Sequence, residues 1–282
     1  MKTNFKHTFS FNAFQINMIA LITMTLDHIS SYQTITQNRT INDGLGIIGR
    51  IAAPLFLFMV VEGVRHTRNK TKYLLRLYMA GTVIEIVNRI IEGATEGPSI
   101  GNTLPMFFYT ALFIICIEHI VNNPKNLKVV CTAICGLIIP FLFYALNIIL
   151  PRYGYSTAWG IISIFFPSPM NVDYSILFVL MGIAWYFINN RLINCAIFAA
   201  LSLVCTIIPV SFITTGCPVM LTPAVCSIFD LFVDTQWCMC LAIPFMLLYN
   251  GEKGHSLKYL FYIYYPVHVY LLFFILHIRD FW

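Results

Sequence analysis

The sequence predicts an all-α, polytopic integral membrane protein, a helical bundle of about nine to ten transmembrane helices. Three observations carry this reading. Of the 282 residues, 59% are hydrophobic and only 10% charged. The mean hydropathy is +0.77. The apolar residues come in blocks of about twenty, the length that crosses a bilayer, separated by short polar joints. The net charge of +5 is modest, and most basic residues lie in the joints, where positive charge sets membrane orientation. That placement speaks against a nucleic-acid partner and for the lipid bilayer.

Taken in order, the apolar blocks predict helices at 14–36, 45–66, 71–91, 103–121, 128–150, 173–190, 191–213, 220–250 and 256–278. The first continues into Asp27 and His28 without a small-residue cleavage site, so it is expected as a retained helix and not a signal peptide. The eighth is too long for one simple span and predicts a kink or an extra half-helix. A tenth crossing would need a re-entrant piece at 151–172 or 214–235. No internal repeat or soluble segment divides the chain, so a single domain over 1–282 is expected.

Orientation follows from the joints. The one between the second and third helices holds Arg65, His66, Arg68, Lys70 and Lys72, whereas the next holds Glu92 and Glu96 without Lys or Arg. By the positive-inside rule the first is cytoplasmic, which puts the N-terminus in the cytoplasm. The nine cysteines are scattered through apolar segments without a zinc or redox spacing. They read as small packing residues, and no metal is expected.

Ionisable residues inside spans are expensive and therefore informative. At about 1.5 Å rise per residue, His28 lies roughly 20 Å from the cytoplasmic end of its helix, beside Asp27. The same count brings Arg50, Glu85 and His268 to a similar depth, with Asp234 near them. Each alone has a bland explanation, snorkelling or the i,i+4 pairing of Glu85 with Arg89. Together they predict a buried polar layer. A second group, Glu62, Arg65, His66, Arg68, Lys72 and Arg76, with Glu118 and His119 of the fourth helix, lies at the cytoplasmic edge. It reads either as topology alone or as an anion site whose arginines grip the phosphates of a nucleotide-bearing molecule. A cytoplasmic anion site and a deeper His/Asp centre fit a reaction across the membrane. On physics alone they equally fit a proton-coupled transporter or flippase, and a non-catalytic assembly factor would need the polar groups only to hold helices together.

Four segments carry a resemblance: ALITMTLDHI at 20–29, IGRIAAPLFLFMVVEGVRHT at 48–67, KYLLRL at 72–77 and KYLFYIYYPVHVYLL at 258–272. The chain resembles the TraX family, bacterial inner-membrane proteins whose F-plasmid member acetylates the pilin N-terminus, and through it the membrane acyltransferases of type 3. The resemblance implies a multi-pass protein of the bacterial cytoplasmic membrane that moves an acetyl or other acyl group from acyl-coenzyme A to an amine or hydroxyl. The acceptor would be a pilin-like protein or a cell-surface glycan. It implies His28 as general base, Asp27 as an orienting group, and His268 as a second base or a donor to the acyl oxygen. Asn17 stands where the wider class has a basic residue, and Arg50 at the depth of His28 is expected to replace it. Arg65, Arg68 and Arg76, with His66 beside them and Glu62 holding one in place, are the expected coenzyme A contacts. Tyr262, Tyr265 and Phe58 are expected to pack around the cavity.

Overall fold

Helix signals in the sequence are local and several are visible as caps. Asn12 Oδ1 accepts from the Gln15 amide at 3.0 Å while Gln15 Oε1 accepts from the Asn12 amide at 2.9 Å, a reciprocal box that starts α1 (Ala13–Tyr32). Asn38 caps α2 (Arg39–Gly49) by accepting from Thr40 and Ile41. After α3 (Ala52–His66), Asn69 accepts from the Lys72 amide at the start of α4 (Lys70–Ala94). Pro105 occupies the first turn of α5 (Leu104–Asn122), where its missing N–H has no partner to lose. Asn126 caps α6 (Leu127–Ile149). There follow α7 (Ser156–Phe165), α8 (Ser175–Phe187), α9 (Arg191–Ile207), a 3₁₀ segment Thr235–Ala242, α10 (Ile243–Leu248) and α11 (Lys258–Ile278).

The computed structural model describes residues 9–32, 38–94, 100–207, 235–255 and 258–278. Among them there is no strand, only an isolated parallel bridge between Phe11 and Tyr249. The fold is therefore the all-α membrane bundle that the composition predicts. Thr40–His66, Leu104–Asn122 and Leu127–Tyr153 are each long and apolar enough to span a bilayer, and shorter apolar helices accompany them. In α6 only Ala133 and Pro140 are buried, the pattern of a helix whose apolar surface faces lipid.

One expectation needs correction. The predicted second helix, 45–66, begins earlier and is broken at Arg50–Ile51 into α2 and α3. Pro54 explains the break, since it lacks the N–H that would bond the Arg50 carbonyl, and its ring crowds that oxygen. Between the fifth and sixth predicted helices, one of the two stretches named for a re-entrant piece, lie a 3₁₀ turn at Leu150–Tyr153 and the ten-residue α7, punctuated by Pro151, Gly154 and Pro167. The eighth predicted block, 220–250, is described only from 235, as the 3₁₀ segment and α10. Asp234 and the 214–234 stretch lie outside the described residues.

The chain divides into two compact units. Unit 1 comprises residues 1–59, 190–212 and 217–282; unit 2 comprises 60–189 and 213–216. In unit 1, α1 packs against α2 and α11, and the 3₁₀ segment packs against α2 and α9. Leu21, Met24 and Ala52 form a buried cluster under Phe56, Tyr264 and Tyr265. In unit 2, α5 is the hub, in contact with α4, α6 and α8, and nine of its residues from Met106 to Cys116 are buried.

Candidate functional site

Glycine lets α2 come close to α1. A Cβ on Gly49 would stand 2.4 Å from the Asp27 Cβ, a separation that real atoms do not reach, and one on Gly46 would stand 3.0 Å from Ser30 Oγ. Ser30 Oγ donates to the Asn42 carbonyl at 2.7 Å and ties the same two helices together. This crossing brings the residue after Gly49, Arg50, to Asp27, with Nη1 3.7 Å from Oδ1. That separation is beyond hydrogen-bond reach, and Asp27 Oδ1 is buried and accepts no hydrogen bond among the described residues.

One residue further along α1, His28 meets His268 of α11. Their ring centroids are 5.1 Å apart and the planes tilted by 60°. His268 is 5% exposed. Its Nδ1 lies 2.8 Å from the Tyr264 carbonyl, one helical turn earlier. A carbonyl can only accept, so Nδ1 carries the proton and Nε2 presents its lone pair. That Nε2 is buried and has no hydrogen-bond partner among the described residues. Tyr264 stacks on the His268 ring at 4.9 Å and 17°, and its hydroxyl shares a 2.9 Å hydrogen bond with Thr25 Oγ1 of α1. The imidazole is thus fixed in tautomer by one contact and in orientation by another.

Of the predicted polar layer, unit 1 brings together Asp27, His28, Arg50 and His268. Glu85 belongs to unit 2 and finds its partners there: Arg89 Nε donates to it at 3.1 Å, and the Asn102 amide reaches its other oxygen at 3.4 Å. Tyr265 and Phe58 pack as expected, Tyr265 over the cluster below His268 and Phe58 edge-on against Tyr249. The side chain of Tyr262 lies outside the described residues. Tyr264 and Thr25 are the functional residues that sequence reasoning missed. The signal available was the position of Tyr264 four residues before His268, one turn below it on the same face.

At the basic edge, Glu62 is 7% exposed and receives Arg65 Nη1 at 2.6 Å. Arg65 also donates to the carbonyls of Trp185 and Tyr186, the latter at 2.9 Å, and lies over the Tyr186 ring. Its guanidinium is therefore occupied in clamping α3 to the end of α8. His66 Nδ1 is 2.9 Å from the Glu62 carbonyl, and Lys70 pairs with Glu118 of α5. Arg68 and Arg76 are exposed, and Lys72 lies one turn from Arg76 on the same face of α4. Of the predicted anion site, Arg68, Lys72 and Arg76 are thus on the surface, whereas Arg65 is a structural clamp.

Unit 2 holds a further polar region that the sequence did not signal. Asp173 accepts from Thr103 Oγ1 at 3.3 Å, and a Cβ on Gly101 would sit 3.3 Å from its carboxylate. Burial raises its pKa; the hydrogen bonds from Thr103 and the Asn102 backbone oppose that rise, and the charge of Glu85 adds to it.

The TraX family model, described as TraX protein, matches residues 13–276. A curated relative, the probable fimbrial assembly protein FimC, serogroup H1, of Dichelobacter nodosus, is 40% identical over 75 residues. That alignment covers 27% of this chain and 30% of the relative. No solved structure matches. The family model spans both the α1 segment with Asp27 and His28 and the α11 segment with His268, so this chain, with its paired histidines and membrane helices, belongs to the TraX family.

Proposed function

We propose that this protein is an integral-membrane acyltransferase that moves an acetyl group from cytoplasmic acyl-coenzyme A to an amine or hydroxyl acceptor at or across the bacterial inner membrane. The observation that carries the reading is the buried Nε2 of His268, without a hydrogen-bond partner among the described residues, held beside the His28 ring with its tautomer set by the Tyr264 carbonyl. An imidazole so held is a general base waiting for a proton, and positioned bases of this kind contribute about 10²–10⁴ in rate.

The donor, when bound, supplies a thioester carbonyl. His268 Nε2 takes the proton from the acceptor nitrogen or oxygen as that atom attacks, and returns it to the departing thiolate. His28, with its ring 5.1 Å away, serves as second base or shares the proton. Arg50, held by Asp27, supplies a fixed positive charge for the oxyanion. Arg68 and Arg76 are the proposed phosphate contacts, with His66 beside them and with Glu62 and Arg65 supporting that edge. The N-terminus is proposed to be cytoplasmic, from the basic joint at 65–72. As acceptor, a pilus subunit is favoured by the TraX resemblance and by the fimbrial assembly role in the relative's name; a cell-surface glycan is the other hydroxyl-bearing choice.

The test is acetyl-coenzyme A turnover by the purified chain in liposomes, with and without a pilin-type amino-terminal peptide, for wild type, His28→Ala and Arg68→Ala. Loss in both variants with monodispersity intact supports the enzyme. Absence of turnover with any acyl-coenzyme A and any acceptor, for a folded wild type, favours a proton-coupled transporter that uses the same histidines.

A further inference from the structure

Unit 2 contains a cleft of about 300 Å³ that the acyl-transfer reading does not use. Its volume lies at the low end of the roughly 300–1,000 Å³ usual for small-molecule sites. Its lining includes the polar residues Glu85, Arg89, Glu92, Asn102 and Asp173, with Asn147 of α6 and Asn171. It also includes Phe143 and Phe166, whose rings stack on each other, parallel within 10° and 4.6 Å apart. The chain beyond Asp173 is strained, with two successive non-glycine residues, Tyr174 and Ser175, at φ of 62° and 69°. Such strain persists where surrounding contacts over-determine it.

The charges decide what fits. Each carboxylate already has a partner in the wall: Glu85 has Arg89, Glu92 Oε1 accepts the Ile100 amide at 3.0 Å, and Asp173 accepts from Thr103. Three carboxylates against one guanidinium repel an anion, so coenzyme A phosphates do not belong here. No three His, Cys, Asp or Glu side chains among the described residues converge as a metal site. What remains is a dense array of groups that accept, donate or do both: carboxylates, amides, a guanidinium and the Ser163 and Ser168 hydroxyls. The same lining holds the stacked Phe143 and Phe166 pair, which offers apolar surface to C–H groups. A ring with many hydroxyls on its rim and C–H bonds on its face matches both kinds of lining at once.

We propose that this cleft binds a neutral, polyhydroxylated molecule of about monosaccharide size. The inference does not rest on the acyl-transfer reading, since none of His28, Arg50, His268, Arg68 and Arg76 lines the cleft. Its test is titration calorimetry of the purified full chain with methyl glucoside, methyl galactoside and methyl N-acetylglucosaminide, with ethanolamine and inorganic phosphate as cationic and anionic probes. Asn171→Ala and Phe166→Ala are suitable variants because both residues are exposed on the cleft wall and their loss leaves the buried pairs in place. At least one glycoside should bind saturably, with affinity reduced at least tenfold in each variant, and neither ion should compete. The proposal is overturned if no glycoside saturates, if both variants bind like wild type, or if ethanolamine displaces the glycoside and marks a cation site.

Discussion

Unit 1 and unit 2 both bury charged groups among apolar helices, yet they treat them in opposite ways. In unit 2 buried or half-buried polar groups are satisfied: Glu62 holds Arg65, which also donates to two carbonyls, and Glu85 holds Arg89 and Asn102. In unit 1 the polar groups are brought close and left incomplete. Asp27 Oδ1 stands 3.7 Å from Arg50 without a hydrogen bond, and His268 Nε2 has none among the described residues. A buried polar atom without a partner costs about 1–3 kcal/mol. Among the described residues the two ionisable groups that keep such an atom, Asp27 and His268, both belong to unit 1, and that marks their neighbourhood as the one with a task beyond stability.

The contrast can be broken most sharply at the histidines. His268→Ala should lower acetyl transfer per folded molecule by about 10²–10⁴, far more than the stability lost with the Nδ1 bond to the Tyr264 carbonyl and the ring stack on Tyr264; an equal loss of folded protein and activity would place His268 with the structural groups. Glu62→Ala should do the reverse. It removes one of the three acceptors of the half-exposed Arg65 guanidinium at the α3–α8 clamp and leaves the two carbonyls, so the yield of monodisperse protein should fall more than turnover per folded molecule.

A subtler probe acts on geometry. Gly49→Ala sets a methyl group against the backbone and Cβ of Asp27. Overpacking of that kind costs about 1–3 kcal/mol. The α1–α2 crossing should open, lowering both thermal midpoint and kcat, whereas the same change at Gly44, which has open space around it, should leave both unchanged. Equal effects at the two glycines would show that the crossing does not set the site.

The smallest expected effect is at Asp173, where burial and the neighbouring Glu85 raise the pKa. A carboxyl with a raised folded pKa favours the folded state at low pH, and that contribution is lost as pH rises through the folded value. Asp173→Asn should therefore raise the thermal midpoint by roughly a degree or two at neutral pH. The difference from wild type should shrink as pH falls; a gap that widens on acidification would contradict the raised pKa.

Much of this was legible before any coordinates. The block pattern of apolar residues gives the membrane helices, and the depth count from the helix ends puts His28, Arg50 and His268 at one level, where unit 1 does assemble them. The break at Arg50–Ile51 was also readable, because Pro54 in IGRIAAP names the carbonyl it cannot bond. Depth counting includes Glu85 as well, because it knows distance along a helix and nothing about which neighbour lies across from it. The Arg65 clamp was out of reach for the same reason: its acceptors at Trp185 and Tyr186 are about 120 residues away and are backbone carbonyls, which no sequence pattern distinguishes.

Sequence by itself determined the solvent and the local form of this protein, since hydropathy over twenty residues and caps within three are short-range properties. It also determined which rare ionisable residues enter the apolar blocks. Only the tertiary structure decided which of them are neutralised and which are left open, because a partner is set by helix crossings between segments more than two hundred residues apart, as with His28 and His268. The close approach at Gly49, the pinned tautomer of His268 and the cleft behind Asp173 are consequences of packing, and packing is where burial without a partner becomes chemistry.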